Sequence, residues 1–397
     1  MTIGPIVGPF RGGRRLGLTS AGVGLLGLAL TAIGAAVNLQ RTLLSYLAAF
    51  TFWLGIALGV LILLMILHAA RARWPVVLRR ILEVIGLSLP LFLVLFIPIA
   101  LGMGRIFPWV NPTGQEPEVQ RLWEHRRLYL NVPFFLIRAA VYFGVWIVLG
   151  SLLHAWSVRQ DRTRELEWTV RQRRLGAGGL PFLALTMSFA AFDWLMSLEA
   201  HISSTIFGVY YFAGSFVAAI AVVILAATAT RGQEELFGRY LNPNHWHSLG
   251  KLLFAFVAFW AYIAFSQFLL IWIANLPDEV PWYLVRNRNG WAPVAIALIV
   301  GHFIVPFFAL ISADVKKRPP VLAAVAVWVL VFHYLDLYWV LMPRVSRLAP
   351  TPSWTDLTAL VGIGAVALAF TIWRMRGQAT VPIGDPYLDD SLRYQPE

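Results

Sequence analysis

Ten apolar stretches, each about as long as a bilayer crossing requires, dominate this sequence. They run over residues 16–37, 46–70, 81–103, 133–158, 180–199, 203–229, 248–274, 291–312, 320–342 and 355–374. Hydrocarbon offers no water to backbone N–H and C=O groups, so each stretch is expected to be a helix, whose hydrogen bonds are internal. The period-two alternation of a membrane β-barrel is absent. The expected fold class is an all-α integral membrane protein with ten transmembrane helices. Composition agrees: only 13% of residues are charged, about half the share usual in a soluble domain. The first stretch follows Arg11, Arg14 and Arg15 as a signal peptide would. It is long enough to span and has no clear small-x-small cleavage site in a polar stretch, so it reads as the first transmembrane helix.

The net charge is +12. On a soluble domain that would point to nucleic acid, but no Lys/Arg stripe with interleaved aromatics exists here, and nucleic acid is not an expected partner. The basic residues crowd one set of loops. The N-terminal segment, residues 71–80, residues 159–174, Lys316–Lys317–Arg318 and the C-terminal segment carry more than twice the Lys and Arg of the alternate loops. The positive-inside rule then places both termini in the cytoplasm. Residues 1–374 form a single polytopic domain, and residues 375–397 a polar, Pro-bearing cytoplasmic tail that lies along a neighbour or stays disordered. The two long loops on the other side, 104–132 and 275–290, are expected to cover the membrane domain or dock a partner. The chain has no cysteine, which excludes disulfides, thiolate catalysis and Cys-held zinc or iron–sulfur clusters.

Ionisable residues at depth are costly and mark candidate function. Asp193 lies about six residues from the outer end of the fifth span, with Ser197 and His201 following on a drifting stripe of the same face; Glu199 falls elsewhere and reads as interfacial. His333 and Asp336, three apart on the ninth span, share a face, and Asp336 matches Asp193 in depth. Arg138, in the outer third of the fourth span, reads as the only basic residue well inside a span and as the natural counter-charge for an aspartate. The seventh span offers Tyr262, Ser266 and Gln267, and the eighth places His302 near its centre. These depths point to one outward-opening polar cavity, fit for a quinone headgroup or a proton relay. Two readings of Asp193 stay open, an ion pair and a proton carrier. On the inner side, Glu83 is either the mouth of a proton path or a side chain snorkelling toward Arg79 and Arg80. Only His302 and His333 are deep, which makes a membrane haem an unexpected tenant, and no metal-binding, nucleotide-binding or Ser-His-Asp motif is present.

Two stretches carry a resemblance. "FDWLMSLEAHISSTIFGVYYFAGSF" (192–216) and "FWAYIAFSQFLLIWIANLPDE" (259–279) resemble the signature segments of the ActF membrane-subunit family of bacterial alternative complex III, within the wider NrfD/polysulfide-reductase-like superfamily. The chain differs from that pattern in having Ala200 and Ile202 where Pro and Trp are usual, and Phe268 and Ile273 where Tyr is usual. The resemblance implies two four-helix bundles, helices 2–5 and 6–9, with helices 1 and 10 peripheral. It implies a bacterial inner membrane and a quinol:electron-acceptor oxidoreductase of the respiratory chain. The implied partners are a second NrfD-like subunit, an iron–sulfur protein, multihaem cytochromes and a terminal oxidase, with the clusters and haems held by those partners and no cofactor by this chain. Three functions follow as expectations. The first is a cofactor-free scaffold with a proton path through Asp193, His333, Asp336, Arg138, Glu83 and His302. The second is a quinone site built on Tyr262, Ser266, Gln267 and His201. The third is a secondary transporter, for which Pro90, Pro98 and Pro306 supply helix breaks.

Overall fold

A computed structural model describes residues 9–113, 115–233 and 236–395. Among them there is no β-strand, and ten helices are long and apolar enough to cross a membrane. We label these α1 (Arg14–Val37), α2 (Leu39–Ala69), α3 (Val76–Leu101), α4 (Val132–Thr163), α5 (Leu166–Leu198), α6 (Phe207–Thr230), α7 (Pro243–Ala274), α8 (Asn289–Ile311), α9 (Pro319–Arg344) and α10 (Trp354–Met375). The chain is a multi-pass membrane protein. Both described ends lie on one face, where Phe10 and residues 377–378 exchange backbone hydrogen bonds of 2.9 Å. That side is called the tail face here, and the other the loop face.

Helices α2–α5 pack as one bundle and α6–α9 as a second, while α1 and α10 pair with each other and lean on α2. Helix α2 is apolar all round and its core is 89% buried, whereas the equivalent window of α1 is only 28% buried; the first is a central post and the second faces lipid. Helices α2 and α6 cross at the seam between the bundles. Gly59 makes that possible, because a Cβ there would lie 2.8 Å from the Ser215 carbonyl. The α1–α10 contact depends on Gly27, whose Cβ would stand 2.8 Å from Gly362 Cα.

Several helices run past the apolar stretches that announce them. The fourth and fifth stretches end at 158 and start at 180, yet α4 continues to Thr163 and α5 begins at Leu166. Hydrocarbon thickness sets the length of the apolar run. The Arg-, Glu- and Gln-rich residues beyond it are good helix formers in water and carry the helices on. Two spans are broken instead. Around Pro90 and Pro98, α3 falls into three pieces, Val76–Gly86, Leu89–Leu95 and Ile97–Leu101, because proline removes an N–H and clashes with the preceding turn. In α8, residues Ile299–Ile304 widen into a π-turn ahead of Pro306. The Gly301 carbonyl, five residues before that proline, accepts instead from Trp328 Nε1 of α9 at 2.7 Å.

The expectation that the C-terminal tail lies along a neighbour or is disordered is corrected. Its described part folds back over the tail face of its own chain, where Asp385 pairs with buried Arg79 and Tyr394 stacks on Trp74. The long loops also cover their own bundles: Phe107, Trp109 and Trp123 are buried over the first, and the short helix Val280–Arg286 roofs the second.

Candidate functional site

Asp193 and Asp336 sit at matched depth near the loop face, and their surroundings differ. Asp193, at the end of α5, is completely buried. Arg138 of α4 grips it with two hydrogen bonds, Nε to Oδ2 and Nη2 to Oδ1, both 2.8 Å. Tyr142, one turn along α4, donates a third at 2.8 Å. The guanidinium also donates to the Tyr129 carbonyl and lies between the rings of Tyr129 and Phe134. A bidentate pair of this kind, with a third hydrogen bond on one oxygen, has a tightly fixed geometry. The stripe of Asp193, Ser197 and His201 does not exist as such. The α-helical part of α5 ends at Trp194; Ser197 turns back to cap the Asp193 carbonyl at 2.5 Å, and His201 lies beyond in the turn. Glu199, expected to be interfacial, accepts from Arg286 at 2.5 Å. Arg286 is fully buried and also donates to the carbonyls of Trp282, Trp339 and Val340.

Asp336 of α9 has a different environment. Tyr210 of α6 donates to its Oδ1, and Trp260 Nε1 of α7 to its Oδ2 at 3.2 Å. No Lys or Arg pairs with it among the described residues; the nearest basic group is His333, 4.0 Å away. The carboxylate borders a cavity of about 650 Å³ between α7, α8 and the Val280–Arg286 roof, well within the size range of small-molecule sites, about 300–1,000 Å³. Gln267, Tyr283 and Asn287 are its other polar groups; Trp282, Phe268, Phe303 and Trp339 make much of the apolar wall. Tyr283 lies outside the spans, and burial pushes its hydroxyl well above the ordinary tyrosine range, so it stays a neutral O–H donor. Three further lining residues, Phe265 of α7 and Ile296 and Ile299 of α8, are more than half exposed on the outer surface. Their exposure puts the mouth of the cavity between α7 and α8, on the outward apolar surface of the two spans.

The deep histidines continue from Asp336 toward the middle of the bundle. His333 Nδ1 is 4.0 Å from Asp336 Oδ2. Its ring is 5.9 Å from that of His302, which in turn lies 4.0 Å from the Trp260 ring. The π-turn of α8 sets His302 at this point. Both imidazoles are buried, and none of their four nitrogens has a hydrogen-bond partner in the protein. Buried polar atoms of this kind are commonly satisfied by ordered water.

The single outward cavity expected from shared depth is therefore corrected to separate sites. Arg138 and Asp193 belong to the first bundle, and Gln267, His302, His333 and Asp336 to the second, with α2 and α6 wedged between. Depth along the membrane normal does not fix position around it. Of the expected quinone residues only Gln267 reaches the cavity. Tyr262, two residues from Trp260 and so about 200° round α7, is 65% exposed on the outer surface; Ser266 and His201 line no part of the cavity. Glu83 does turn to Arg80, one turn back, as one of its two readings has it, but as a buried pair and not by snorkelling to the surface, and it meets none of the other candidates. It is buried on the tail face between Arg80, 3.1 Å away, and His154, 3.3 Å away. Arg138 is not the only buried basic residue within a span: Arg41 forms a bidentate pair with Asp356, and Arg79 and Arg80 are also enclosed. Sequence reasoning missed Tyr142, Tyr210, Trp260 and Arg286. The first three stand one helical turn, or a facing helix, from a flagged acid, and that spacing was the available signal.

No protein-family model matches the chain, and no curated protein matches it in sequence. Among the described residues no three His, Cys, Asp or Glu side chains gather into a metal-binding group.

Proposed function

We propose that this chain is an integral membrane subunit of a quinol-oxidising electron-transfer complex, and that its own part is to admit a quinol and take up, in turn, the two protons released as its two electrons pass to partner subunits. The observation that carries the reading is the side-opening cavity that ends on Asp336. A lipid-dissolved ring with hydroxyl groups needs an apolar passage from the bilayer, a slot for the ring, and a few fixed polar groups at the far end. The α7–α8 opening, the wall of Phe268, Phe303 and Trp339, and the Asp336–Gln267–Tyr283 group provide these in order. Asp336 has no countercharge, so it can accept a proton without breaking an ion pair. His333 and His302 then offer the next acceptors inward. Electrons leave to clusters or haems in partner subunits, as the resemblance to the ActF family implies, and the termini lie in the cytoplasm of a bacterial inner membrane.

Asp193 and Arg138 take no part in this reading, because they lie in the other bundle and the carboxylate is held in an ion pair by a guanidinium and hydrogen-bonded by a tyrosine. The transporter reading is weaker on the fold. Its helix breaks fall in α3, second in its bundle, and α8, third in its own, whereas repeat-built transporters break corresponding helices. The test is quinol oxidation by the assembled complex carrying Asp336→Asn. Turnover is expected to fall by about 10²-fold, the usual contribution of a positioned proton acceptor, with subunit composition unchanged. Full turnover in that variant would sink the proposal.

A further inference from the structure

A second polar cluster, on the tail face, is untouched by the quinol reading and does not depend on it. Arg80 pairs with Glu83 and with Asp161 of α4, and Glu83 with His154 of α4. His68 of α2 lies within electrostatic reach of Arg79. These side chains are buried, yet both His68 nitrogens, Glu83 Oε1 and the Nε atoms of Arg79 and Arg80 have no hydrogen-bond partner in the protein. Enclosed polar atoms of this kind are commonly satisfied by ordered water.

The chain's own C-terminal segment covers this cluster. Gln378 contacts His154 Nε2 at 3.2 Å, Gly384 N donates to Asp161 at 3.0 Å, and Asp385 pairs with Arg79. Beyond the cluster, the Ser391 hydroxyl donates to the Trp74 carbonyl at 2.6 Å. The Tyr394 carbonyl accepts from Asn242 and Asn244 in the second bundle. The segment thus crosses from one bundle to the other. At Gly384 it comes so near α4 that a Cβ would lie 2.1 Å from the Gln160 carbonyl; only glycine lets the segment lie flat on α4 there.

We propose that residues 378–394 are a gate over a hydrated chamber, admitting water and protons from the tail face when they lift. Closure rests on Gly384 and on the Arg79–Asp385 pair, and the far end is pinned by Tyr394.

The absence of cysteine from the sequence makes the test clean. Ser157 lies buried between His154 and Asp161 on α4, so Ser157→Cys in the full-length protein reports on the chamber. A charged, membrane-impermeant thiol reagent is expected to label it slowly in the parent, and at least ~10-fold faster when Gly384→Val or Asp385→Asn is added. Ala57→Cys, in the core of α2, is expected to stay unlabelled in all of these, which separates gate opening from unfolding. Two results overturn the proposal: parent labelling as fast as that of the exposed Leu128→Cys, or labelling unchanged by both tail variants. Faster labelling of Ala57→Cys in step with Ser157→Cys also overturns it, by assigning the segment to fold stability alone.

Discussion

Asp193 accepts hydrogen bonds from Arg138 and Tyr142 and faces a cation it neutralises, while Asp336 accepts from a phenol and an indole and faces a cavity. The two carboxylates should therefore respond unequally to loss of charge. Asp193→Asn leaves a buried guanidinium without its partner, and breaking a buried pair in this way costs about 3–5 kcal/mol. Thermal melting of the purified protein should show a large drop. Asp336→Asn keeps a carbonyl oxygen for Trp260, can donate its amide to the Tyr210 oxygen, and removes no partner from a cation, so its melting temperature should fall much less. Equal drops would contradict the assignment of structural and functional roles. Both acids were legible in the sequence as charge within apolar runs, and so was Arg138 as the countercharge. Their separation was not, because sequence gives depth along a helix and leaves open which helices are neighbours. The same limit misassigned Tyr262, whose hydroxyl reads as functional until the direction of the α7 face is known.

Helix α8 shows how one residue re-aims an element. Pro306 cannot donate a hydrogen bond, the preceding turn widens, and His302 sits in that turn beside Trp260 and His333. Pro306→Ala restores a donor and should let the turn tighten toward a regular helix. Inserting or removing one residue's worth of rotation turns a side chain by about 100°, so His302 should leave the Trp260 ring. Quenching of Trp260 fluorescence by the imidazole, measured in a variant lacking competing tryptophans, should fall; an unchanged signal would show that the wide turn has another cause. The α1–α10 contact permits a second test. Gly27→Leu places a side chain where Gly362 already lies 2.8 Å from a Cβ, and overpacking of that kind costs about 1–3 kcal/mol. Proteolysis of the N-terminal segment should quicken while the α2–α9 core resists. Helix existence was readable throughout from apolar length. The ends of α4 and α5 were not, since a charged helical extension and a charged loop have much the same composition.

At the scale of the whole molecule, the two bundles share the α2–α6 seam, the Glu199–Arg286 pair and the tail crossing. Removing Glu199 as Gln keeps a hydrogen bond to Arg286 but not its charge. It should loosen the roof over the cavity without unfolding either bundle, seen as faster hydrogen exchange confined to residues 280–291. Uniform exchange rates across the chain would argue against a local role. The two-bundle arrangement entered the reading through the ActF resemblance. Periodicity could not supply it, because helices that are apolar on every side carry no record of which face meets which neighbour. The pairing of α1 with α10 has a further consequence in time. Helix α1 is the first of the ten to leave the ribosome, and its main packing surface is the last to be made. Until α10 inserts, the Gly27 face of α1 stands against lipid, and the helix is held near the rest by its smaller contact with α2 and the one-residue link at Asn38. Chains halted before Trp354 should therefore carry a loosely attached first helix, open to membrane proteases, and quality control would have its opening in the interval before α10 is made.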